Sequence, residues 1–152
     1  MLNKRIQLAI AVLVLVFATA GEELLPPVFG VGVPLLLAGA VATARRRPAA
    51  TAVFFAVAAG AFEDAISSLP PLTSVGFFLF AALAASSRLT PPAALLAAYP
   101  LYQLWLCVWI ADIGGGVFLR TLVALPVGAA TFIAVGVLLF MIDRKAGVDE
   151  KE

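Results

Sequence analysis

GEELLPPVFGVGVPLLLAGAVATARRRPAATAVFFAVAAGAFED, residues 21–64, holds two apolar stretches framed by charge of alternating sign: Glu22 and Glu23, then Arg45, Arg46 and Arg47, then Glu63 and Asp64. A chain that crosses a bilayer twice, with acidic turns on one side and a basic turn on the other, carries this pattern. Working outward, Lys4 and Arg5 precede an earlier apolar stretch, Arg88 follows a fourth, Asp112 closes a fifth, and Arg144 and Lys145 close a sixth. Threaded back and forth, nearly all Lys and Arg share one side. Short cytoplasmic loops carry the excess of Lys and Arg, so both termini are predicted to be cytoplasmic. Arg120, between the last two spans, is the dissenting cation on the outer side.

Composition agrees with that reading. The 152 residues are 63% hydrophobic and 12% charged, with a mean hydropathy of +1.09, which places the chain in the membrane class. The expected fold is an all-α membrane protein, one domain over residues 1–152, with six transmembrane helices at about 6–21, 28–44, 49–67, 72–86, 93–110 and 122–142. The first span rises about 24 Å at 1.5 Å per residue, short for a core of roughly 30 Å, and Lys4 and Arg5 compensate by snorkelling outward. Ala18-Thr19-Ala20 before Gly21 also fits the cleavage site of a signal peptide.

Proline marks the helix starts: Pro26-Pro27, Pro48, Pro70-Pro71 and Pro91-Pro92, with Thr90 as a cap for the fifth span. Pro34, Pro100 and Pro126 lie deeper, and each should bend its helix or mark a late start. Trp109 reads as an interfacial anchor, with Trp105 one turn deeper on the same face. Acid followed by Leu-Pro-Pro recurs at a spacing of about forty residues, an echo that any two hairpins with acidic and basic turns would also give.

In the third span Ala52, Ala56, Gly60 and Asp64 recur four apart and share one face. That face should pack on another helix, because lipid supplies no hydrophobic drive and close approach needs small side chains. Asp64 then lies about 22 Å up the helix, either as a buried acid that needs a partner, with Arg120 and Asp112 the natural candidates, or with Glu63 as the plain end of a short helix.

Catalysis is not expected. The chain has no histidine and one cysteine, Cys107, so there is no disulfide, no thiolate metal site and no metal-ligand spacing. Glu22-Glu23 faintly resembles the paired glutamates of intramembrane CAAX-type proteases, whose sites also need histidine. Ser67, Ser68, Ser74, Ser86 and Ser87 all flank turns, where a cap or turn role outweighs that of a nucleophile. Gly114-Gly115-Gly116 lacks the lysine of a phosphate loop. No cofactor and no nucleic-acid partner is expected, and Arg45 to Arg47 meet at most anionic lipid.

The chain resembles the rod shape-determining protein MreD family of bacterial inner-membrane proteins. The residues that carry the resemblance are Pro27 at the second span, the basic turn from Arg45 to Pro48, Gly60-Ala61-Phe62-Glu63-Asp64, the Ser-Pro-rich turn, and Gly76-Phe77-Phe78. The turn between Asp64 and Gly76 is longer than the family pattern and Glu63 is an extra acid. The resemblance implies a non-enzymatic scaffold of cell-wall elongation in the cytoplasmic membrane. It would bind an MreC-like bitopic protein and, indirectly, MreB, RodA and its penicillin-binding transpeptidase. It also implies a fold resembling the substrate-binding component of energy-coupling-factor transporters, hence a second expectation: a small-solute-binding membrane component. The outer polar groups read as acids on loops rather than a ligand cage, which favours the scaffold.

Overall fold

The computed structural model describes residues 2–27, 31–87, 90–110 and 116–146. Among them the chain forms helices and no strand: α1 Leu2–Leu24, α2 Leu35–Arg46, α3 Ala49–Ile66, α4 Thr73–Ser86, α5 Pro92–Leu95, α6 Ala98–Ile110 and α7 Gly116–Ala146. The short α5 and α6 are two pieces of the fifth predicted span, so the count of six is kept. Arg5–Leu24, Ala49–Ile66 and Gly116–Lys145 are long and apolar enough to cross a membrane, and Thr73–Ser86 and Ala93–Trp109 are shorter apolar segments. Large apolar side chains cover the outside, with Phe17 and Phe80 67% exposed and Phe118 76%. In water such a surface would associate; in a bilayer it is solvated by lipid.

The centre of the bundle is α2. Leu36, Leu37, Ala38, Gly39, Ala40, Val41, Thr43 and Ala44 are all buried, and the helix packs on α1, α3, α4 and α7. A helix that is apolar all round belongs in the interior of a bundle. At 12 residues it spans only about 18 Å, and its neighbours supply the surface that meets lipid.

Three sequence expectations change here. The second span begins at Leu35 and not at residue 28: Pro34 is the residue that precedes the helix, while Pro27 is exposed in a non-helical stretch and opens nothing. Residues 28–30 lie outside the described residues. The cause is Pro34, since the residue before a proline, here Val33, is pushed out of the helical region. In the fifth span the residue that precedes α5 is Pro91, with no side-chain cap, so Thr90 does not cap it. The span then breaks at residues 96 and 97 and restarts at Ala98, which places Pro100 in the first turn of α6, where its missing N–H is not needed. The first and last helices run longer than predicted, and Pro126 sits inside α7 without ending it.

Close approach of α3 and α4 fixes the other half of the core. A Cβ at Gly60 would lie 2.5 Å from Val75 Cα and 2.7 Å from its nitrogen, so only glycine allows the two backbones to meet here. Ala56 and Ala52, one and two turns back, are also buried. At Gly128 of α7 an added Cβ would lie 2.7 Å from Tyr99 Cβ of α6.

At one end of the bundle the basic turn is locked to α7. Arg47, 3% exposed, pairs with Asp143, 5% exposed. Arg46 reaches the same carboxylate at 4.0 Å and lies 5.4 Å from the ring centre of Phe140. Arg45 donates to the Thr90 carbonyl at 3.5 Å. The C-terminal ends of α2 and α7 therefore share the basic end, and the acids Glu22, Glu63 and Asp64 gather at the other.

Candidate functional site

At the acidic end, two helices start inside the bundle with residues that cannot cap them. Pro34 before α2 and Leu72 before α4 make no side-chain cap bond, and Leu72 sits in the left-handed region at φ 71. The first amides of a helix still need acceptors, and no water enters a bilayer core to supply them. The preceding helix provides them in each case. Glu22 of α1 accepts from the Leu36 amide at 2.7 Å, and Asp64 of α3 accepts from the Ser74 amide at 2.7 Å. A carboxylate in this position also meets the positive end of the helix dipole.

Asp64 is thus a helix cap supplied from a neighbouring helix. Its hydrogen-bond partner is the Ser74 amide; Arg120 lies exposed on α7, and Asp112 lies outside the described residues. Its second oxygen, Oδ2, is buried with no hydrogen-bond partner among the described residues. Asp64→Asn keeps the acceptor and loses only the charge, for an expected cost of about 0.5–1 kcal/mol. Asp64→Leu strands the buried Ser74 amide as well and should cost about 2–3 kcal/mol. Thermal unfolding in detergent ranks the two; an Asn variant as damaged as the Leu variant would mean that charge pairing, and not capping, holds the site.

Beside these caps lies a cavity of about 260 Å³, walled by Glu22, Glu63, Phe78, Tyr99, Tyr102 and Gln103 and by the non-helical backbone ahead of α2. Irregular backbone is tolerated at membrane depth where it lines a cavity and its polar groups are satisfied. Here the Gly32 carbonyl accepts the Tyr99 hydroxyl. Tyr102, 2% exposed, bonds Ser74 Oγ at 2.6 Å and donates to Glu63 at 3.4 Å. Its ring meets Phe78 edge-on with centroids 5.5 Å apart. A polar chain therefore runs from Asp64 through Ser74 and Tyr102 to Glu63 in the cavity wall.

Of the residues singled out from sequence, Glu63 lines the cavity, Asp64 and Gly60 build the α3–α4 contact beside it, and Ala52 and Ala56 pack deeper on the same helix. Pro27 and Arg120 are exposed and do not line the cavity. Sequence reasoning missed Tyr99, Tyr102 and Gln103 and gave Glu22 only the role of an acid in an outer turn. A signal was present: the chain has two tyrosines, three residues apart on one helical face in an apolar span, and a buried tyrosine hydroxyl needs a partner. Trp105, expected as a companion of the Trp109 anchor, donates to the Thr73 carbonyl at 3.0 Å and so ties α6 to the start of α4.

Comparison of the chain with protein-family models, with curated proteins and with solved structures finds no match.

Proposed function

We propose that this chain is a multi-pass protein of the bacterial cytoplasmic membrane, with both termini cytoplasmic, that serves as a non-enzymatic scaffold of cell-wall elongation. In this reading it resembles MreD and binds an MreC-like bitopic protein, through which MreB, RodA and the penicillin-binding transpeptidase are organised. One observation supports it above others: Gly60 and Asp64, which carry the family resemblance, act as a single device that sets the start of α4. Gly60 admits the α4 backbone and Asp64 caps its first turn. Gly76, also part of the resemblance, meets nothing within 4 Å and is not part of the device. The separation of the Arg45–Arg47 turn from the acidic end supports the orientation, since basic turns face the cytoplasm.

The test is loss and rescue of rod shape. Depletion in the native host should round the cells, and the wild-type chain should restore rods and co-purify a single-span partner. Normal rods after complete depletion would remove the reading. The cavity favours a second one, a solute-binding membrane component, because it unites aromatic walls with convergent polar groups. Under that reading the co-purifying partners are a coupling membrane protein and ATPases.

A further inference from the structure

The cavity wall carries more acceptors than donors. Glu22 and Glu63 line the same cavity, and among the described residues no Lys or Arg lines it with them. Glu22 is engaged by the Leu36 amide. Among the described residues Glu63 accepts from Ser67, of its own helix, at 3.2 Å and from Tyr102 at 3.4 Å, both longer than a normal O–H···O bond. Two carboxyls in one cavity wall favour a positive charge between them.

The rest of the wall fits the same kind of guest. Phe78, Tyr99 and Tyr102 are buried rings on two helices, and aromatic faces attract an organic cation once water is excluded. The cavity is also lined by the non-helical Gly32, Val33 and Pro34 ahead of α2, and irregular backbone at membrane depth is where membrane transporters build solute sites. An anion would face two carboxyls. A bound divalent metal would need more ligands, and among the described residues no group of three or more His, Cys, Asp or Glu is placed to hold one. The volume of about 260 Å³ equals roughly nine waters at about 30 Å³ each, so the guest is small.

We propose that this cavity binds a small organic monocation, an alkyl or arylalkyl ammonium of about nine non-hydrogen atoms, with its charge on Glu63 and Glu22 and its apolar part against Phe78, Tyr99 and Tyr102. The proposal does not depend on the wall-elongation reading. It supplies the ligand class for the solute-binding reading, and rod-shape rescue and ligand binding are measured separately, so the failure of one leaves the other standing.

The test uses the full-length protein in detergent with phenethylammonium, whose neutral isostere 2-phenylethanol has the same shape. Phenethylammonium should raise the unfolding temperature saturably and 2-phenylethanol should not. Glu63→Gln should weaken phenethylammonium by about tenfold or more, the scale of one hydrogen bond to a charged group. The comparison of the two probes is made on the wild-type chain and stands even if Glu63→Gln does not fold. Equal stabilisation by the two probes, no stabilisation by either, unchanged affinity in a folded Glu63→Gln variant, or the same saturable shift from sodium chloride alone would each overturn the proposal.

Discussion

Gly60→Leu should abolish accumulation of the folded protein, and even Gly60→Ala should lower its stability by about 1–3 kcal/mol. The sign at alanine is the informative part. On helix propensity alone, glycine to alanine in a helix interior gains about 1 kcal/mol. At Gly60 the new Cβ would lie 2.5 Å from Val75 Cα, a backbone atom that cannot swing aside as a side chain would. Overpacking wins, and leucine adds three further carbons to the same collision. Gly136 of α7, where an added Cβ meets nothing within 4 Å, is the matched control: Gly136→Ala should be neutral or slightly stabilising. Thermal unfolding in detergent and membrane accumulation of the three variants decide the matter. A Gly60→Ala protein as stable as wild type would show that α3 and α4 do not meet at this point.

The second large effect lies at the opposite end of the bundle. Asp143→Leu should cost about 3–5 kcal/mol, because it leaves the Arg47 guanidinium buried without its counter-charge. Arg47→Met should cost less, since Arg46 reaches the same Asp143 carboxylate at 4.0 Å and can move closer. Removing both charges together, Arg47→Met with Asp143→Leu, should recover most of the loss, as apolar replacements of a buried ion pair are often neutral. The cycle is read by unfolding in detergent. If the two single losses simply add in the double variant, the pair contributes no coupling and α7 is held by other contacts.

How much of this was legible follows from which forces leave a mark on sequence. The alternation of acidic and basic turns was visible because charge is excluded from the bilayer core, and it matched the number of helical segments, with α5 and α6 taken as one. The stripe of Ala52, Ala56 and Gly60 was visible because close packing demands small residues at helical spacing, and these residues are buried. The length of α2 was not: an apolar run reads the same whether it crosses the bilayer or stops at its centre, and only Pro34 hinted at the late start. The caps were hidden for a different reason. Glu22 and Leu36 are 14 residues apart, and Asp64 and Ser74 are 10 apart, so neither pairing follows the local spacing by which caps are recognised. A search for outer charges consequently passed over the Ser74 amide as a partner of Asp64. The cavity joins groups from α1, α3, α4 and α6, and its tyrosines acquire meaning only once α6 lies against the start of α4.

Everything functional in this account depends on the acidic end, with Glu22, Glu63 and Asp64, facing outward while the Arg45–Arg47 turn and the end of α7 face the cytoplasm. Single cysteines test this most directly, introduced into the chain after Cys107→Ser at Glu23, Ser67, Arg45 or Lys145. In intact cells a membrane-impermeant maleimide should label Glu23→Cys and Ser67→Cys, and should reach Arg45→Cys and Lys145→Cys only after the membrane is opened. Labelling of Arg45→Cys or Lys145→Cys in intact cells, with Glu23→Cys and Ser67→Cys protected, would contradict the account.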